Sequence, residues 1–293
     1  MNTTASARSP ARLHKPSVVS LRTEPKAGTS YIDVRLDSRR ALGWFELNET
    51  APAYVSTGLL QEMALHSRRI QEGDYGLVRT RILSSLIPGV FSLGGDLGYF
   101  ISAIENQDRA RLLQYAVAAI EVIWSTLSGC GTCNLASVAL VEGEAQGGGF
   151  EAALACQVIV AEESASFGFP ETLFGLFPGM GAAHLIAARS DKAVAERLIS
   201  RANRYPARFL KEIGIIDFVV PDGRGRCFLN KSSIEDSLAD VYARRTESFQ
   251  TIKYSTLLSS VEEWVDTAMR LSARNLRSMR YLLTAQRRAT TAA

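Results

Sequence analysis

The chain is predicted to fold as α/β, with strands and helices alternating through its first two thirds and a helical extension after them. Three observations carry this. Residues 136–141 (ASVALV) are apolar and β-prone, and residues 150–156 (FEAALAC) are rich in strong helix formers, with Gly147-Gly148-Gly149 between them. Such a run reads as a strand end, a tight glycine turn and a helix start. Upstream, further strand-like and helix-like segments alternate. Downstream, residues 234–249, 255–271 and 273–287 all carry helical spacing.

Taken in order, residues 1–30 are rich in Ser, Thr, Pro and basic residues without periodicity, and are expected to be a flexible tail. Strands are expected at 32–36, 42–47 and 77–83. Leu59, Met63 and Ile70 place a helix over 57–71. Asp96 follows a double glycine and is suited to cap a helix around 98–106. Residues 108–127 carry Leu112, Leu113, Val117, Ile120, Ile123 and Trp124 on one long amphipathic helix. Residues 157–161 (QVIVA) read as a short buried strand. Two helices, 191–200 and 206–213, are expected to be separated by Asn203-Arg204-Tyr205.

Composition bounds the function. Hydrophobic content of 46% permits a sizeable core, and a net charge of +3 is too small to mark a nucleic-acid binder. No apolar run matches a membrane span, and the basic N-terminus lacks an apolar stretch after it, so a cytoplasmic protein is expected. Cys130-Gly-Thr-Cys133 is followed by no second C-x-x-C or paired His, and reads as two ordinary thiols rather than a redox or zinc pair. Glu142 and Glu144 read as surface charges.

Two carboxylates stand where chemistry is plausible. Helix N-terminal amides behind the glycine turn favour a developing negative charge. Glu151 follows them closely, and Glu171 follows a second turn signal, Phe169-Pro170. A pair of carboxylates beside an oxyanion site suits proton transfer next to a thioester carbonyl.

The stretch 139–181 (ALVEGEAQGGGFEAALACQVIVAEESASFGFPETLFGLFPGMG) resembles the core of the enoyl-CoA hydratase (crotonase) superfamily, with G-G-G-x-E, F-G-x-P-E and G-x-x-P-G-x-G in order. Residues 89–97 (GVFSLGGDL) are similar to the family's F-x-A-G-x-D loop, with Leu93 in place of Ala. Residues 204–220 resemble its A-x-x-A-x-x-x-G-L-V segment, with Leu210 in place of the second Ala.

The resemblance implies a crotonase-like ββα spiral core over 31–220 and a helical extension over 221–293 serving as acyl-pocket lid and oligomerisation element. It implies an oxyanion hole from the amides of Gly95 and Gly148. Glu171 would face Cα and Glu151 the C3 oxygen. Met180, Trp264, Phe169 and Leu176 are the candidate acyl-pocket residues. No cofactor and no metal are implied.

Within the superfamily, residues 87–97 look like the corresponding loop of diffusible signal factor synthases. These dehydrate 3-hydroxyacyl carrier protein and hydrolyse the thioester to a cis-2-unsaturated acid. Coenzyme A hydratases usually open their first helix with R-P-x-x-x-N-A-L, whereas here Ala51-Pro52-Ala53-Tyr54-Val55-Ser56-Thr57 lacks the Arg and Asn. An acyl carrier protein substrate is therefore expected. The C-terminal arginines 270, 274, 277, 280, 287 and 288 are candidates for docking it. A sensor kinase of the signalling system is a candidate partner, and a trimer or dimer of trimers the expected assembly, with neither nucleic acid nor membrane. The alternative is an enoyl-CoA hydratase or isomerase of fatty-acid metabolism.

Overall fold

A computed structural model describes residues 30–131, 135–231 and 234–291. The expected tail, apart from Ser30, and Cys133 of the C-x-x-C lie outside them. The elements run β1 (Ile32–Asp37), β2 (Leu42–Leu47), α1 (Thr57–Glu72), β3 (Thr80–Ser85), β4 (Val90–Ser92), α2 (Leu97–Glu105) and α3 (Arg109–Leu127). They continue with β5 (Ala136–Val141), β6 (Glu144–Gln146), α4 (Gly148–Ala155), β7 (Val158–Glu162), β8 (Ser166–Gly168) and a 3-10 turn, Pro170–Phe174. Then follow α5 (Ala182–Arg189), α6 (Lys192–Ile199), β9 (Arg204–Pro206), α7 (Ala207–Glu212), β10 (Phe218–Val220), α8 (Gly225–Leu229), α9 (Ile234–Phe249), α10 (Tyr254–Ala268) and α11 (Ala273–Thr291).

Two sheets organise the core. The larger has the order β1-β2-β3-β5-β7-β10, parallel except for the β1–β2 hairpin. The smaller has the order β4-β6-β8-β9, with β9 antiparallel at its edge. Three times a strand of the large sheet is followed within a few residues by one of the small sheet: β3 then β4, β5 then β6, β7 then β8. A helical segment follows each pair, which makes the ββα spiral. Strands β5 and β7 are buried nearly throughout, as parallel strands covered on both faces must be.

The helix starts are set by side-chain caps. Ser56, Asp96, Asp108 and Asp191 each accept a hydrogen bond from the amide three residues on, starting α1, α2, α3 and α6. Two expectations shift. Strand β3 begins at Thr80, not Leu77, because Leu77 is exposed and pairing with β2 starts at Leu42 opposite Thr80. Asn203-Arg204-Tyr205 is more than a break between helices: Arg204–Pro206 pairs with β8.

A buried arginine holds the end of the glycine-started helix. Arg189 donates to the carbonyls of Leu154 (3.1 Å) and Cys156 at the C-terminus of α4, and to Ile215 (3.1 Å). It also pairs with Asp217 at 3.3 Å, which Arg245 contacts from α9 at 3.1 Å. Burial pulls the guanidinium down to about 10, offset by Asp217. Replacing Arg189 with Met would take one of its partners from Asp217, which keeps Arg245, and the donor from three carbonyls, so chemical denaturation should show a loss of about 3–5 kcal/mol. A variant as stable as wild type would mean that these contacts contribute nothing net.

Candidate active site

The site begins where the first two strands of the small sheet end side by side. After β4 the chain enters Leu93-Gly94-Gly95-Asp96, and after β6 it enters Gly147-Gly148-Gly149. Gly94 has a φ of +83°, and a Cβ there would meet the Gln146 carbonyl at 2.9 Å and the Gly148 nitrogen at 3.0 Å. A Cβ on Gly148 would stand 3.6 Å from the Gly95 nitrogen and 2.5 Å from Met180 Cε. The backbone nitrogens of Gly95 and Gly148 are thus close neighbours. Neither N–H has a hydrogen-bond acceptor among the described residues. Gly148 is also the first residue of α4, where amides have no intrahelical acceptor.

Glu151 sits in the first turn of α4 and is 1% exposed. Phe150, immediately before it, stacks on Phe169 with ring centroids 4.9 Å apart and packs on Phe167 at 5.1 Å. The Oε1 atom of Glu151 accepts from the Met180 amide at 2.8 Å and the Ala182 amide at 3.0 Å. Burial raises its pKa to about 7, and those two amides oppose the rise.

Glu171 lies in the 3-10 turn against Gly147, where a Cβ would collide with Glu171 Oε1. Its Oε2 is buried without a hydrogen-bond partner. Burial, joined by the negative charge of Glu151, raises this carboxyl to about 8. The pair therefore shares a charge in the neutral range. Two amides bond Glu151, whereas Glu171 Oε2 has no partner among the described residues, and this favours the charge on Glu151 and the proton on Glu171.

A cavity of about 380 Å³ joins these groups. Gly95, Gly148, Glu151, Glu171, Met180 and Trp264 all line it. Phe100, Ala116, Ala119, Val261 and Leu282 make much of the rest apolar. Phe169 and Leu176 are elsewhere: both are buried in the core, Phe169 beneath Phe150. They correct the expected acyl-pocket set, because an aromatic beside a cavity-lining turn serves equally well as its support.

The sequence model of the family described as Enoyl-CoA hydratase/isomerase matches residues 55–227. The chain belongs to the enoyl-CoA hydratase/isomerase family. A probable mitochondrial enoyl-CoA hydratase 2 of Arabidopsis thaliana is 31% identical over 147 residues, covering 50% of this chain and 46% of the relative. A mitochondrial methylglutaconyl-CoA hydratase of Mus musculus is 31% identical over 144 residues, covering 49% and 43%. The matched segment thus spans less than half the length of either relative. Among solved structures, an enoyl-CoA hydratase of Bacillus anthracis gives a TM-score of 0.63 at 25% identity, covering 81% of this chain and 90% of that one. One from Bacillus halodurans gives 0.69 at 16% identity, covering 86% and 100%. These likenesses support the crotonase fold described above.

Several residues of this family member's site had no clear signal in the sequence. Gln146 lines the cavity, is 8% exposed, and its Nε2 is buried without a partner. Tyr115 on α3 reaches the Val55 carbonyl and accepts from the Asp96 amide at 3.3 Å. Glu144 is not a bare surface charge: it lines the cavity and pairs with Arg204 at 2.7 Å. Glu142 is partly buried and pairs with Arg226 at 2.9 Å. Burial raises its carboxyl, and Arg226 opposes the rise. The six C-terminal arginines are exposed, and Arg280 pairs with Glu105. Among the described residues no helix is long and apolar enough to cross a membrane.

The two raised carboxyls fix a pH dependence of stability. Each binds its proton more tightly folded than at the reference value of 4.5. The folded state therefore holds more protons than the unfolded one from about pH 4.5 upward. The associated stability is complete below that range and is lost as pH rises through about 7 and 8. Glu171→Gln should be more stable than wild type at pH 9, on the order of 2–4 kcal/mol, with the gap closing toward pH 5. Urea denaturation across that range measures it, and an unchanged pH slope would contradict the assignment.

Proposed function

We propose that the chain is an acyl-thioester hydro-lyase. The observation that carries this reading is the convergence of two unpartnered amides and two proton-sharing carboxyls on one largely apolar cavity. A thioester oxygen held by the Gly95 and Gly148 amides would have its enolate stabilised, a contribution of about 3–4 kcal/mol per donor. Beside it, one carboxylate takes the α-proton and the other, protonated, delivers a proton to the departing C3 hydroxyl. In dehydration Glu171 is the base and Glu151 the acid; in hydration the roles reverse. The fatty chain would lie against Met180 and Trp264.

The finer reading is a diffusible signal factor synthase. It takes 3-hydroxyacyl carrier protein, eliminates water, and then hydrolyses the thioester to a cis-2-unsaturated acid, the same amides serving the tetrahedral intermediate. The departure from R-P-x-x-x-N-A-L at residues 51–57 supports it, as do the exposed arginines of α11, which suit an acidic carrier protein. The second reading, enoyl-CoA hydration, has its own support. The amides on Glu151 favour a charge there and a proton on Glu171, the arrangement hydration starts from, and the curated relatives above bear hydratase names.

Matched 3-hydroxyacyl thioesters on carrier protein and on coenzyme A separate the readings, with products followed by mass spectrometry. The synthase reading expects kcat/KM at least about tenfold higher on carrier protein and free unsaturated acid appearing as substrate is lost. Glu151→Gln and Glu171→Gln should each lower turnover by roughly two orders of magnitude or more with the fold intact. Coenzyme A preference without free acid would transfer the conclusion to hydration. No turnover of any acyl thioester would overturn both.

A further inference from the structure

The loop that carries the Gly95 amide is tied to a residue remote in sequence. The Leu93 N–H donates to Ala53 at 2.7 Å, the Gly94 N–H to Ser92 Oγ at 3.3 Å, and the Asp96 N–H to Tyr115 at 3.3 Å. The Gly94 carbonyl accepts from Val55 at 2.8 Å. Three further groups go to Gln286 on α11. Its Nε2 donates to the Leu93 carbonyl at 3.0 Å and to the Gly95 carbonyl at 2.9 Å, and its Oε1 accepts from the Leu97 amide at 3.4 Å. In this run the Gly95 N–H alone has no partner among the described residues.

The peptide unit bearing the Gly95 N–H also bears the Gly94 carbonyl. Gln286 holds the peptide unit before it, through the Leu93 carbonyl, and the one after it, through the Gly95 carbonyl. With both flanking units fixed and Val55 on the central carbonyl, the N–H has one direction left to point. Gln286 is 4% exposed and lies on the face of α11 whose Leu282, Ala285 and Ala289 also line the cavity. One helix thus supplies part of the cavity wall and the clamp on the loop.

We infer that Gln286 is a positioning residue that aims the Gly95 amide at the thioester oxygen. This rests on the reading of Gly95 as an oxyanion donor. Its effect falls on the charged transition state more than on the neutral bound substrate, so it acts on kcat.

The test uses the full chain with the acyl thioester that wild type turns over best. Gln286→Leu keeps the side chain's approximate bulk and removes both donors. It should lower kcat by about 10- to 100-fold and leave KM within about threefold, assayed well below the variant's own melting temperature. Gln286→Glu guards against a folding defect. Its carboxylate has no donor for the two carbonyls, whereas the protonated acid regains one, so the ratio of its kcat to that of wild type should rise as pH falls. A residue that only stabilises the fold would lower the melting temperature without moving either readout. A kcat within twofold of wild type in Gln286→Leu, or a flat ratio in Gln286→Glu, would overturn the inference and leave the hydro-lyase reading standing. Absence of wild-type turnover on any acyl thioester would overturn both.

Discussion

An amide held out of water without an acceptor costs about 1–3 kcal/mol, and this fold sets two amides that lack a protein acceptor among the described residues beside each other at one cavity. Left alone, such a loop would turn its N–H groups toward the nearest carbonyl. The surrounding structure removes that freedom. The parallel pairing of β4 with β6 brings the two glycine loops together. Val55, Tyr115 and Gln286 bond the peptide groups around Gly95, and the start of α4 leaves the Gly148 amide without an intrahelical acceptor. Phe150, Phe167 and Phe169 anchor α4 beneath, and Arg189 holds its far end. The ββα spiral, read this way, is a frame for two N–H groups.

The same enclosure governs the carboxyls. Burial raises both, and their proximity in one apolar site prevents both from ionising together near neutrality. A pair holding one proton and one charge is already an acid and a base. The amides of Met180 and Ala182 bias which member holds the charge. That bias favours Glu151 as the resting anion, so in the proposed chemistry dehydration would start from the minor proton arrangement and hydration from the major one.

Much of this was legible in the sequence for a physical reason. Glycine runs, Phe-Pro turns and carboxylates at fixed offsets are local signals; with the family resemblance they pointed to Glu151, Glu171, Gly95 and Gly148, which line one cavity. The large sheet was legible because β5 and β7 are continuous apolar runs. The small sheet was not: β4, β6, β8 and β9 are three residues each, too short to show a period. Phe169 and Leu176 were misplaced because apolarity does not tell core from cavity wall. Gln286 sits among arginines on a polar helix and makes its contacts to residues nearly two hundred positions away. Nothing local marks it. Gln146 was hidden similarly, as a polar residue beside more conspicuous glycines.

The central claim is that the Gly95 and Gly148 amides polarise an acyl-thioester carbonyl. Vibrational difference spectroscopy of a carbonyl-labelled acyl thioester bound to the Glu151→Gln, Glu171→Gln double variant, which cannot turn it over, reads that polarisation directly. The account predicts a carbonyl stretch at lower frequency than in water, because two fixed donors in a low-dielectric cavity draw charge onto the oxygen. A bound carbonyl at or above its frequency in water would contradict it.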